Sequence, residues 1–362
     1  MVLKFGGTSV GDPDAFERVA GVVRAHGGAR PVIVVSAMSK ATDTLLAAAD
    51  SAEKRRFTPV RAAIDRLLLR HQEVATRLLA PAAAKDFEFH LAAARTDLHR
   101  LLRRAGIKSA AKARAVIRDD IAAWGERLSA TLLTAVLTAR GLPAEYVDAR
   151  TCIVTDEAFG RAAPLYKETN SRTKAQLGPV MRKGRIPVMG GFIAATAKGV
   201  TTTLGRGGGD FSAAIVGAAL GAAEIQIWTD VHGVLTADPR IVTHARTIPR
   251  LSYAEAAELA YFGAKVLHPS TILPALERKI PVRICDSREP NGPGTLVTAE
   301  ADIWPETVKA IAHKRGISIV QVTSARMLGA YGFLKALFDV FDHHQVAVDV
   351  VTTSEVSVSL SV

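Results

Sequence analysis

Cysteine is nearly missing from this chain: two residues, Cys152 and Cys285, each in an apolar context, stand among 362. They offer no redox or zinc-ligand spacing, and a chain of this length can bury a large core without disulfides. Buried structural thiols in a reducing cytoplasm are therefore expected. Aromatic residues are also scarce, at 6%. None interleaves with the denser basic groups at 54–56 and 100–104, so a stacking platform for bases is lacking and no nucleic-acid partner is expected. No apolar run reaches the length of a bilayer span, and the N-terminus runs straight into MVLKFGG without the pattern of a signal peptide, so no membrane partner is expected either. Acidic residues are outnumbered, 35 against 46 Lys and Arg, giving a net charge of +11 that suits small anionic substrates. Two common phosphate-binding fingerprints are absent: there is no Walker A pattern, and the dinucleotide pattern fails because Asp210 stands where its last glycine belongs.

What the chain has instead is TTTLGRGGGDFSAA, residues 201–214, which organises the rest. A β-branched run leads into Arg206 and three adjacent glycines, and Asp210 and Ser212 then open an apolar run that reads as a helix. Consecutive glycines give up side-chain burial and backbone entropy, which is tolerated where backbone must approach something closely. A glycine turn feeding a helix N-terminus gathers unpaired N–H groups near a partial positive charge and so suits an anion. Arg206 adds a permanent planar cation. The plainer alternative is a glycine-rich surface loop.

The N-terminal VLKFGGTSV reads as a strand running into a glycine turn, followed by a helix near 13–26 capped by Asp12 and by the buried strand PVIVVSAM. This strand–helix–strand opening predicts an α/β sheet. Lys4 in an apolar strand is costly unless its ammonium reaches a partner or solvent; Gly6, Gly7, Thr8 and Ser9 directly after it favour a phosphate-facing turn. Ala-, Leu- and Arg-rich helices fill 45–104 and read as a helical insertion or lid, and a third long helix covers 117–141. Glu126 in its middle reads, on residue type alone, as surface. The segment IPVMGGFIAAT reads as one buried strand containing a glycine pair, and EIQIWTDVHGVLTADPR as strand, turn, short strand and turn, with Thr229 and Asp230 at the strand end where ligands of open α/β sheets sit. NGPGT at 291–295 marks a boundary. Beyond it lies a β-α-β-β pattern with a helix near 330–344 on which Leu334, Leu337, Phe338 and Phe341 follow helical spacing. The chain stops inside strand-like sequence, which points to further sequence or to a partner subunit.

KFGGTSV, TTTLGRGGGD, WTDVHGVLTADPR, FGAKVLHP and VDVVTTSEVS occur in that order across nearly the whole chain and together resemble the signature segments of aspartate kinases, with the nearest likeness to the single-function, lysine-inhibited type. The resemblance implies an αβα sandwich of the amino-acid-kinase type over 1–295, with a helical insertion about 52–116, and an incomplete C-terminal α+β ACT-like regulatory module over 296–362. It implies transfer of the ATP γ-phosphoryl group to the side-chain carboxylate of L-aspartate, with Mg²⁺ riding on ATP oxygens. By the same resemblance Lys4 meets the transferring phosphoryl group, Asp210 orders the lysines around the phosphates, and Arg206 with Gly207 and Gly208 holds the substrate carboxylate. Glu126 meets the substrate ammonium, which overturns its surface reading, and Thr42 contacts substrate. Gly6, Gly7, Thr8, Ser9, Thr229, Asp230, Leu235, Arg240 and Lys265 match nucleotide contacts. A lysine effector is expected at a seam lined by Met327, Gly332, Phe333, Leu334, Asp349, Ser354 and Glu355, in a homodimer or tetramer paired through ACT modules. The chain departs from the family's usual Ser at Gly209, His at Trp124, Pro at His232 and Tyr at Leu235, and no protein-bound metal site is expected.

Overall fold

The computed structural model describes residues 1–261, 271–300 and 308–362, which fall into two compact units, Met1–Ile311 and Ala312–Val362. The strands of the first unit are β1 (Val2–Phe5), β2 (Val32–Val35), β3 (Ala144–Tyr146), β4 (Val154–Thr155), β5 (Ile186–Gly190), β6 (Ile193–Thr196), β7 (Thr201–Thr203), β8 (Ile225–Thr229), β9 (Arg250–Ser252), β10 (Val282–Asp286) and β11 (Thr295–Thr298). Its helices are α1 (Pro13–Ala25), α2 (Ala41–Glu53), α3 (Phe57–Leu78), α4 (Pro81–Ala105), α5 (Ala111–Ala139), α6 (Ala149–Cys152), α7 (Tyr166–Arg182), α8 (Gly208–Leu220), α9 (Tyr253–Tyr261) and α10 (Leu273–Glu277). Among the described residues the main sheet has the order β3-β5-β2-β1-β8-β10-β11-β9, and a small second sheet the order β4-β6-β7.

The main sheet is parallel from β3 to β10, with β11 antiparallel to β10. Strands buried on both faces read as continuous apolar runs, as VLKF and VIVV do. Side-chain alternation then divides the core. Leu3, Phe5, Ile33 and Val35 join the apolar faces of α1 to α5 in one cluster, while Val2, Val32 and Val34 join α7 and α8 in another. Lys4, between Leu3 and Phe5, is thereby delivered to the face that α8 covers. The chain leaves β1 towards β2 on one side, and β8 flanks β1 on the other. The C-terminal ends of β1, β2 and β8 thus surround a point where the strand order reverses, the usual place for a ligand in such sheets.

Four sequence readings change. The 52–116 segment does not form a lid: Leu67, Leu68, Leu98 and Leu101 of α3 and α4 are buried in the same cluster as Leu3 and Phe5, because amphipathic helices this long must cover their apolar stripes. IPVMGGFIAAT is two strands in two sheets, broken after Gly190, with Phe192 at φ 63 redirecting the chain. The short strand expected after Asp230 is a single bridge, Leu235 with Thr247. The division between units falls at Ile311 rather than 295, since Thr295–Thr298 is hydrogen-bonded into the main sheet as β11. Both thiols behave as expected: Cys152 and Cys285 are free and buried, and burial pushes each up to about 12.

The second unit contains α11 (Phe333–His343) and the strands β12 (Ile319–Thr323), β13 (Val351–Thr353) and β14 (Ser357–Ser361), which pair in the antiparallel order β12-β14-β13. This is the β-α-β-β pattern read from the sequence. Ile319, Leu334, Phe338 and Val351 are exposed on it.

Gly191 packs against Gly209, and that contact sets how close α8 comes to the sheet. A Cβ on Gly191 would lie 2.8 Å from the Gly209 Cα and 3.2 Å from Val34 Cγ1. Gly191→Ala should therefore cost about 1–3 kcal/mol of stability, seen as a lower urea midpoint at an unchanged slope. A midpoint equal to that of the wild type would mean that this contact is loose.

Candidate active site

A cavity of about 690 Å³ opens at the C-terminal ends of β1 and β2, and Lys4, Gly7, Thr42, Glu126, Arg206, Gly207, Gly208 and Asp210 line it together. Residues drawn from four distant stretches thus meet in one place. The Lys4 ammonium, nearly buried, lies 2.6 Å from Asp210 Oδ1. Asp210 sits in the first turn of α8, where the helix dipole also favours its negative charge. The turn before it needs left-handed backbone at Gly205 and Gly207, at φ 75 and 72, which glycine adopts at little cost. Arg206, between them, is exposed and joins no carboxylate in an ion pair among the described residues.

Glu126 is only 3% exposed. Gly125 makes this possible, since a Cβ there would lie 2.8 Å from the Ala37 Cβ, so glycine lets α5 close on the end of β2. Glu126 Oε1 accepts from the Ala37 N–H at 3.3 Å and from the Thr42 hydroxyl at 3.5 Å, while Oε2 is buried without a partner among the described residues. Burial pushes this carboxyl up to about 8 against those donors. An ammonium placed at Oε2 would satisfy the free oxygen and bring the carboxylate back to its charged form.

Ser36, Lys40, Asp119 and Phe192 also line the cavity and were not singled out in the sequence. Asp119 had a legible signal: it stands two helical turns before Glu126 on α5 and so shares its face. Its carboxylate is buried and accepts from the Gly160 N–H at 2.9 Å and from the Thr203 N–H and hydroxyl at 3.0 and 2.8 Å, which ties the start of the glycine turn to α5. Burial raises its pKa, and those three donors oppose the rise.

The expected nucleotide residues are less gathered. The Gly6 N–H is spent on the Trp228 carbonyl at 2.9 Å. The Ser9 hydroxyl donates to Ser287 Oγ at 2.9 Å, and the Ser9 N–H bonds the Gly6 carbonyl at 3.0 Å, so Ser9 braces the turn against β8 and β10 rather than offering donors to a phosphate. Gly7 and the exposed Thr8 keep their places beside the cavity and in solvent. Thr229 ends β8 and Asp230 follows it, and the register that sets Trp228 opposite Phe5 puts them beside the glycine turn on the same sheet edge. The Arg240 guanidinium is engaged by Asp238 at 2.7 Å. Leu235 lies in its bridge to Thr247, and Lys265 lies outside the described residues. His232 pairs with Asp286 at 3.0 Å, and the indole N–H of Trp124 donates to Asp97 at 3.0 Å. A Cβ on Gly209 would stand 3.0 Å from Ser36 Oγ and 3.2 Å from Lys4 Cε, so a larger residue there would crowd the Lys4 stem.

In the second unit Met327, Gly332, Phe333, Leu334, Ser354 and Glu355 do share a cavity, of about 570 Å³. Asp349 is not among its walls; its carboxylate pairs with Lys314. Gly332 caps α11 at φ 80.

The model of the amino acid kinase family matches residues 1–286. Chloroplastic aspartokinase 2 of Arabidopsis thaliana is 38% identical over 99% of this chain, which spans 65% of that protein's length. Lysine-sensitive aspartokinase 3 of Escherichia coli is 37% identical over the full chain, which spans 78% of its length. The crystal structure of E. coli aspartokinase III in complex with aspartate and ADP, an R-state, superposes with a TM-score of 0.84 at 36% identity, over 100% of this chain and 78% of the other.

The raised Glu126 carboxyl has a consequence for stability. It ionises near 4.5 when unfolded and about 8 when folded. Between those values the unfolded chain is charged and the folded one protonated, so unfolding releases a proton and stability falls as pH rises. Glu126→Gln should remove that part of the slope and be more stable than wild type at about pH 8. Urea unfolding across this range tests it; an unchanged slope in the variant would place the titration elsewhere.

Proposed function

The chain belongs to the amino acid kinase family, among its aspartokinases, and from that premise we propose that it transfers the γ-phosphoryl group of ATP to the side-chain carboxylate of L-aspartate. The observation that carries this reading is the charge pattern of one cavity. Glu126, with one buried oxygen that has no partner among the described residues, lines the same cavity as the Lys4 ammonium and as Arg206, whose guanidinium joins no ion pair among the described residues. An amino acid with one ammonium and two carboxylates matches that set.

In the proposed reaction Glu126 holds the aspartate ammonium, Thr42 lies beside it, and Arg206 grips a carboxylate bidentately. The other carboxylate attacks the γ-phosphorus. A new P–O bond forms to its oxygen as the bond to the β–γ bridging oxygen breaks, giving 4-phospho-L-aspartate and ADP. The attacking carboxylate is already ionised at neutral pH, so no base is required. Catalysis then rests on positioning and on neutralising the charge between two anions. Lys4 supplies that charge, and Asp210 holds Lys4 towards the cavity. Gly7, Thr8 and the N-terminus of α8 leave donors for phosphate oxygens, and the nucleotide base extends along the sheet edge past Thr229 and Asp230. Among the described residues no group of three or more His, Cys, Asp or Glu gathers as a metal cage. Mg²⁺ would arrive on the nucleotide and screen its phosphates.

We also read the second unit as an ACT-like regulatory module that takes lysine in its cavity and pairs with another copy, which its exposed Ile319, Leu334, Phe338 and Val351 support. Lysine then inhibits to the extent that it binds an inactive arrangement better than the active one. No helix among the described residues is long and apolar enough to cross a membrane, and the proposed site of action is the cytoplasm.

The direct test is ADP release with aspartate against glutamate as acceptor; turnover with glutamate alone would overturn the reading. Lys4→Ala should lower kcat by at least ~100-fold while changing the KM for aspartate far less, because the charge matters most in the transition state. A near-normal kcat would remove Lys4 from the reaction. Arg206→Lys keeps the charge but loses the fork, so it should mainly raise the aspartate KM. An untouched KM would move the carboxylate site elsewhere. Titration with lysine and with threonine should show inhibition by lysine only; inhibition by threonine alone would exclude the proposed effector.

A further inference from the structure

Lys40 occupies a backbone position that nothing in its residue type favours. It sits at φ 63 and ψ 5, the left-handed region, as the N-cap of α2, and its side chain makes no capping bond. The turn Met38–Ala41 is closed by the Ala41 N–H bonding to the Met38 carbonyl at 2.8 Å, with Lys40 third in the turn. Glycine or asparagine is the usual choice at a position of that conformation, and Ser, Thr, Asp or Asn at an N-cap. Lysine is neither, and it carries the steric cost of its Cβ.

The surroundings hold this conformation from several sides. The Lys40 carbonyl accepts from the Thr44 N–H at 3.0 Å and from the Thr44 hydroxyl at 2.8 Å. The preceding carbonyl, of Ser39, accepts from Arg70 at 2.9 Å, and that arginine reaches over from α3. Strain that persists because its surroundings enforce it marks a place where the side chain has a use.

The Lys40 side chain lines the same cavity as Thr42, Glu126 and Arg206, and joins no carboxylate in an ion pair among the described residues. The other cavity cations differ. Lys4 is paired with Asp210, and Arg118 with Asp50. Of the cavity acids, Asp119 is taken up by Gly160 and Thr203, Asp210 by Lys4, and Glu126 by Ala37 and Thr42; Asp43 is exposed in the same first turn of α2 as Thr42. Among the described residues, Lys40 and Arg206 are thus the two cations of the cavity left for an incoming anion, and Lys40 stands on the side of Thr42 and Glu126, away from the β8 edge.

We propose that Lys40 is a specificity-determining residue that binds a carboxylate of the amino-acid substrate, with Arg206 serving the second anionic group of the site. The proposal rests on the reading of the cavity as an aspartate site. Its use explains why a lysine stands where glycine would relieve strain.

Glycine makes the test sharp, because Lys40→Gly removes the charge while fitting the backbone better. Initial rates should show the aspartate KM raised about fivefold, the scale of a solvent-accessible ion pair, in both Lys40→Gly and Lys40→Met, with the ATP KM little changed. Lys40→Arg should retain the wild-type KM. Lys40→Gly alone should have a higher thermal midpoint. The wild-type aspartate KM should also rise more steeply with salt than that of Lys40→Met. An unchanged aspartate KM in both charge-removing variants would overturn the proposal and leave Lys40 a strained turn residue. A rise confined to the ATP KM would overturn it too, by giving Lys40 to the nucleotide. Absence of aspartate turnover in the wild-type protein is a separate result, which sinks the reading of the cavity and this assignment with it.

Discussion

The ion pair between Lys4 and Asp210 is the contact on which the rest of the arrangement depends. Lys4 lies on the central strand of a sheet covered on both faces, and an ammonium there is costly without a partner. Its partner comes from the first turn of α8, more than two hundred residues later. The pair can form only if the start of α8 lies against the ends of β1 and β2. That closeness explains three glycines: Gly208 and Gly209 on one side and Gly191 on the other, with Phe192 turned into left-handed backbone between strands. A side chain at any of them would lift the helix, and with it Asp210 and Arg206.

Around this pair the polar groups fall into two kinds. Those that hold the fold together are satisfied: Asp119 is bonded to the start of the glycine turn, Ser9 to the neighbouring strands, and Arg70 to the turn before α2. Those that face the cavity are left incomplete. Glu126 keeps one buried oxygen open and is held near neutrality by burial, while Arg206 and Lys40 present cations without counter-charges among the described residues. Unfinished electrostatics of this sort are destabilising in the empty protein and are completed by a ligand of opposite pattern. The cost therefore becomes selectivity when the right ammonium and carboxylates enter.

The elements themselves were largely legible. The apolar runs of β1 and β2, the Asp12 cap, the long helices and the final β-α-β-β pattern all follow from short-range periodicity and turn chemistry. The glycine stretch and Lys4 stood out because each breaks a local preference, and positions that break local preferences are where function is expected. Glu126 did not stand out. A glutamate in the middle of a helix is usually solvated, and only Gly125 beside it hinted that the helix is pressed against something. Lys40 gave no signal at all, since its oddity lies in a backbone angle.

Fold class, the strand–helix–strand opening and the glycine turn that feeds a helix within residues 201–214 were determined by the sequence alone, since apolar periodicity and turn residues act over a few neighbours. The tertiary structure decided which residues share the cavity, that α3 and α4 cover the core instead of a ligand, that Ser9 braces strands, and that Lys314 rather than open solvent faces Asp349. Those outcomes depend on contacts between stretches tens to hundreds of residues apart, and on burial. Neither quantity is written in any local run of residues, because both arise only when the helices and strands have packed.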